Sequence, residues 1–320
     1  MKPLADFEFP SDRRGFLRRA VRLEAITIAY LLSVLVLFGL VYDGTQIIKA
    51  ELVEVGLSLT APIAFLVAQP FRERSPSVQF PYGFHRVVSI AFLVASVGLV
   101  ALGAFLFLDS GLSLIQVHRP TIGSIEVFGR VIWRGWLFLP ILVWSVVPAV
   151  FLGRAKAEPS RRLHDKVLYA DAEMNRADWK TGLTAILGIL GIALGFWWAD
   201  SLAALLISFN ILLDGGKNLR ACVFDLMDRV PHRVDDAAVE ALPARIATEL
   251  KKLDWVRDAR VRLREAGHVF LGEAFVAPVH HRDLMPRVAE ARDRLLRLDW
   301  RLHEVVIQLE EGATDEAGSS

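Results

Sequence analysis

The chain has one cysteine, Cys222, in 320 residues, which excludes an intramolecular disulfide and any cysteine-rich metal cluster. That residue reads as a small packing group near a helix end. Histidine is scarce, at eight, and the basic stretch 153–166 holds only His164, so no histidine-rich tract is present. An excess of either charge is missing too. The 37 Lys and Arg against 36 Asp and Glu leave a formal net charge of +1, with no basic domain to hold nucleic acid. No nucleophile–base set, phosphate-binding glycine loop or zinc-hydrolase spacing is found, so an enzyme is not expected. No small-x-small cleavage motif follows the first apolar run, which therefore reads as an uncleaved membrane helix.

Apolar residues are abundant. At 53% hydrophobic content and a mean hydropathy of +0.39 the chain is too apolar for a soluble protein, and at 23% charged it is too polar to be membrane throughout. The charge is segregated. Spans long enough to cross about 30 Å of hydrocarbon are expected at 25–42, 47–69, 87–115, 133–152, 167–197 and 201–219. Trp133, Trp136, Trp197 and Trp198 fall at predicted ends, as interface anchors do. Arginines 13, 14, 18, 19 and 22 precede the first span; Arg72, Arg74 and Arg86 follow the second, and Arg154, Lys156, Arg161, Arg162 and Lys166 the fourth. That bias predicts both termini in the cytoplasm. The segment 116–134, with Pro120, Gly123 and Gly129, is expected to be an outside loop with at most a short surface helix.

After Pro231 the pattern turns soluble. A helix is expected at 235–253, strands at 256–263 and 269–279 about a Glu265-Ala266-Gly267 turn, a helix at 284–298 and a strand at 303–309. The expectation is an α-helical multi-pass membrane protein of six transmembrane helices with a C-terminal cytoplasmic α+β ferredoxin-like domain. Its divisions fall at 1–24 (cytoplasmic tail), 25–219 (membrane domain), 220–311 (soluble domain) and 312–320 (disordered tail). Gly182, Gly188, Gly191 and Gly195 are read as close helix packing.

Two spans carry chemistry. Glu51, Glu54 and Ser58 lie at spacings of three and four, and Asp171, Met174 and Asp178 repeat them, so each set makes one stripe on a helix. Acids within a membrane span are costly and usually line a cavity, pair, or bind an ion. Facing stripes would make a cation site, with Glu51 and Asp171 one turn toward the ends as an entry vestibule. Alternatively, the acids pair with Lys49, Arg176 or Lys180, Ser58 back-bonds to its own helix, and Met174 is packing.

Several stretches resemble the cation diffusion facilitator (CDF) family of dimeric metal/proton antiporters. Pro81-Tyr82-Gly83-Phe84-His85-Arg86 is similar to its PYGxxR entry, and Ala170-Asp171-Ala172 followed by Asp178 to its ADAxHxxxD start. Residues 195–204 (GFWWADSLAA) look like its G–W–DP–A turn, and residues 226–231 with the following α-β-β-α-β like its C-terminal domain. The resemblance covers about 22–311. It implies a homodimer in the cell membrane that exports a divalent metal from the cytoplasm in exchange for protons, with no cofactor besides its cargo (Zn, Mn, Fe or Co). The implied transport site is Glu54, Ser58, Met174 and Asp178. The family usually has Asp or His at Glu54, Asp at Ser58 and His at Met174, so the site is degenerate, and lacking that histidine its proton coupling is expected to be weaker or shifted. Family metal positions in the C-terminal domain appear as Gln308 and Glu310, with His280-His281 nearby. The competing readings are a transport-incompetent relative acting as a membrane-anchored interaction or dimer partner, and a carrier of a different, monovalent cation.

Overall fold

The protein is described by a computed structural model covering residues 6–42, 44–72, 74–117, 122–127, 130–235, 237–280 and 282–310. Pro120, Gly129, His281 and the tail 312–320 lie outside the described residues. The backbone forms two compact units: Ser11–Gln69 with Val88–Val223, and Met1–Pro10 with Pro70–Val87 and Phe224–Ser320.

In the first unit, α1 (Ser11–Val41) begins well before the expected residue 25. Its arginine-rich turns reach α5, described below: Arg13 donates to the Arg162 carbonyl at 3.0 Å, and Arg19 pairs with Glu158 at 3.3 Å. The second expected span is two helices, α2 (Gln46–Ser58) and α3 (Thr60–Arg72), broken at Leu59. Pro62 supplies the reason, since it has no N–H for the Ser58 carbonyl four residues back. Next come α4 (Val87–Ile115), then a hairpin of β1 (Ser124–Val127) and β2 (Arg130–Trp133), antiparallel with Ser124 opposite Trp133. This hairpin replaces the expected loop or surface helix; Val131, Ile132 and Trp133 favour strand. Then follow α5 (Gly135–Leu163), α6 (Lys166–Ala193) and α7 (Ala199–Leu226).

Among the described residues five spans are long and apolar enough to cross a membrane: α1, the broken α2–α3, α4, α5 and α7. The sixth expected span, α6, is more charged, with Asp171, Glu173, Arg176, Asp178 and Lys180 along it. Helices α1, α2, α5 and α6 pack together. Separately, Gly103 and Gly215 bring α4 and α7 close, against Ile211 and Leu212 on one side and Leu99 and Val100 on the other. Glycines also seat α6: Gly182 lies on Val146, Gly188 on Ala203 and Ile47, and Gly191 on Ala199. Gly195 differs from the packing expectation. It touches nothing and instead takes φ +88, the left-handed turn between α6 and α7. Cys222 is buried in α7 against Ala68, Val88, Phe92 and Val167.

In the second unit, α8 (Leu242–Lys251) starts later than expected, because Pro243 fits only a first helical turn, while His232 and Val239 form a bridge before it. Strand β3 (Val256–Ala266) pairs antiparallel with β4 (Val269–Pro278) through a turn at Gly267-His268, where Gly267 adopts φ +63. Helix α9 (Leu284–Leu296) leads to β5 (Leu302–Leu309), which runs parallel to β4, so the sheet order is β3-β4-β5. Leu242, Ile246 and Leu250 of α8 and Ala291 and Leu295 of α9 cover Leu263, Phe270, Ala274 and Val305 of the sheet. The α+β C-terminal region thus has the expected order α-β-β-α-β. Its far edge gathers His85, His268 and His303 with Phe7 and Phe9, the His85 ring centroid 5.4 Å from that of His268 and 5.6 Å from that of His303.

Candidate metal centre

Helix α2 is held at its first turn from another element. Asp200, at the start of α7, accepts from the backbone N–H groups of Gln46 and Ile47, both at 2.9 Å. This is an N-terminal cap supplied through space. It anchors the helix that turns Glu51 and Glu54 inward. Opposite, α6 starts at Asp165, whose side chain accepts from Leu168 N–H at 3.0 Å.

Between the two helices a cavity is lined by Glu51, Glu54 and Ser58 of α2 and by Asp178 and Thr181 of α6, with Ser145 of α5 on its wall. The Thr181 hydroxyl donates to the Asp178 carbonyl at 2.9 Å. Glu51 Oε1 and Glu54 Oε2 are buried without a hydrogen-bond partner. Behind Ser145, Tyr30 of α1 donates to the Ser145 carbonyl. The polar side chains of the cavity are thus all oxygen donors, three carboxyls among them, set between the apolar Leu31, Val55 and Val146. Among the described residues no group of three or more His, Cys, Asp and Glu is placed so as to hold a metal ion as it stands.

The expected site residues divide. Glu51, Glu54, Ser58 and Asp178 are brought together. Met174 is not among them: its sulfur accepts from Asn218 Nδ2 at 3.6 Å and its side chain packs against the apolar core. Ser58 donates its hydroxyl to the Glu54 carbonyl at 2.9 Å. Asp171 lies apart, bound to Lys156. Two of the three alternative basic partners of Glu54 and Asp178 are engaged elsewhere, Lys49 with Asp109 at 2.5 Å and Arg176 with Glu173 at 2.6 Å. Residues that sequence reasoning passed over are Thr181 and Asp200, with Asp214 a further exposed carboxylate on α7. An acid within an apolar helix was the available signal for Asp214.

Residues 23–227 match the family described as the cation efflux transmembrane domain. The chain belongs to the cation efflux family. It is thus a metal transporter of the multi-pass membrane type and not an enzyme, and the CDF resemblance of its motifs is explained. Related proteins include a “Probable cation efflux system protein” of Mycobacterium tuberculosis, 25% identical over 254 residues, covering 78% of this chain and 69% of the relative. The “Manganese efflux system protein MneS” of Bacillus subtilis is 22% identical over 153 residues, 48% of this chain and 49% of its own length. “Mitochondrial metal transporter 1” of Saccharomyces cerevisiae is 22% identical over 219 residues, 63% of this chain and 42% of the relative.

Proposed function

We propose that this cation efflux protein works as a homodimer in the cell membrane, with both termini cytoplasmic, and exports a divalent metal ion in exchange for protons. The observation that carries the reading is the buried cavity in which Glu51, Glu54 and Asp178 face one another across α2 and α6. Three carboxylates in one enclosed space need positive charge to offset them, either protons or a dication, so uptake of one releases the other. Rocking of helices around this fixed site gives alternating access.

The donor set supports a choice among cargoes. Carboxylate and hydroxyl oxygens suit harder ions such as Mn²⁺, while the soft Met174 sulfur that would favour Zn²⁺ points to Asn218 instead. The manganese named for the Bacillus subtilis relative agrees with that preference. A metal-by-metal uptake screen in inverted vesicles tests the reading. Mn²⁺ uptake driven by an acid interior is expected, and Glu54→Ala or Asp178→Ala should reduce it at least tenfold. Uptake that survives both substitutions, or a purified dimer that no metal stabilises, would favour the transport-incompetent partner instead.

A further inference from the structure

Lys156 of α5 is a fully buried charged side chain that the metal cavity leaves unused. It and Glu24 of α1 have 0% side-chain exposure, and Asp171 of α6 has 3%. The ammonium donates to Glu24 Oε2 at 2.8 Å and to Asp171 Oδ2, and Asn175 Nδ2 donates to the same Asp171 oxygen at 3.2 Å. A buried ion pair must balance its charges to recover the cost of desolvation. Here two carboxylates surround one ammonium, and the second oxygen of Glu24, Oε1, is buried with no hydrogen-bond partner. The pocket thus offers more negative charge and more acceptors than a single ammonium uses. That surplus matches a doubly charged ion.

We infer that Glu24, Asp171 and Asn175 form a second cation-binding cage, filled at rest by the tethered ammonium of Lys156, which an arriving divalent metal displaces on its way to Asp178. The inference rests on the transport reading above and gives that path a residue that guards it. Two carboxylates, an amide oxygen presented by rotation of Asn175, and water are a suitable ligand set for a hard dication. Asp171 and Asp178 share α6 at a separation of two turns, about 10 Å along the axis. The four-carbon lysine stem lets the charge swing away while α5 stays in place. Helix α5 cannot easily shift instead, because Gly153, one turn earlier, lies so close to α6 that a Cβ there would sit 2.6 Å from the Ala172 carbonyl.

The test counts Mn²⁺ by equilibrium dialysis against the full chain in detergent. Lys156→Met should bind one more Mn²⁺ per chain than wild type, and adding Glu24→Gln should return the count to the wild-type value. An unchanged count in Lys156→Met overturns the inference. Should that variant fail to accumulate, Lys156→Arg decides alone. Its forked guanidinium holds both carboxylates more firmly, so vesicle uptake of Mn²⁺ should slow at least fivefold while the bound count stays at the wild-type value; wild-type uptake overturns the inference. Wild-type protein that moves no Mn²⁺ at all would instead sink the transport reading, and dialysis would still report on the cage.

Discussion

Single residues in the cavity divide by what their atoms already do. Ser58 spends its hydroxyl proton on the Glu54 carbonyl and Met174 its sulfur on Asn218, whereas the carboxylates keep buried oxygens unclaimed. Ser58→Ala and Met174→Leu are therefore expected to hold Mn²⁺ affinity within about twofold, and the latter to cost less than about 1.5 kcal/mol as a volume-conserving exchange; calorimetric titration and thermal melts measure both. The stripes of acids were legible from spacing alone, because three- and four-residue steps fix a helical face. Which neighbour each acid meets was not. Asp171 pairs with Lys156 from one helix and that lysine with Glu24 from another, a partnership set by packing between segments far apart in the chain. Outside the membrane helices, burial and then the neighbouring His303 push the His85 imidazole down from 6.5 to about 4. Its folded form therefore takes a proton less readily than its unfolded form. The stabilisation is complete above about pH 6.5 and is lost as the pH falls toward 4, by about 3 kcal/mol at most. His85→Phe should flatten that part of the pH–melting profile, with Trp300 fluorescence as the probe.

Whole elements were read well where one property dominated. The run 87–115 was placed to the residue because nothing interrupts it, and the strands of the C-terminal region alternated clearly enough to be seen. Boundaries failed where proline acts: Pro62 divides the second span, and Pro243 delays α8. Arginines 13, 14, 18 and 19 looked like a tail, yet they continue α1 because Arg13 and Arg19 find acceptors on α5. The hairpin β1–β2 lay behind turn residues that masked two short strands. The Asp200 cap gives the expectation that belongs to elements. Asp200→Ala should destabilise the protein by about 1 kcal/mol or somewhat more. It should also lower Mn²⁺ uptake without touching the cavity, since the first turn of α2 loses two acceptors; paired melting and vesicle uptake measurements separate the two effects.

For the molecule as a whole, the proposed orientation is open to direct labelling. In a Cys222→Ala background, a single cysteine at Ser75 should react with an impermeant maleimide only in inverted vesicles, and one at Ser124 only in intact cells. The reverse pattern would turn the transporter around and make it an importer. A mechanical consequence follows from where Asp200 sits. It belongs to the α4–α7 pair, but its carboxylate grips the opening turn of the helix bearing Glu51 and Glu54. The two halves of the membrane unit are thereby hitched like a towbar at the first turn of α2, beside the Lys49–Asp109 pair and the Asn218–Met174 contact. When the α4–α7 pair slides, the near end of α2 must travel with it, while the break at Leu59 lets the far end lag. On the proposed reading the acids would then swing like the middle of a lever, so that helix sliding would accompany the exchange of metal for protons.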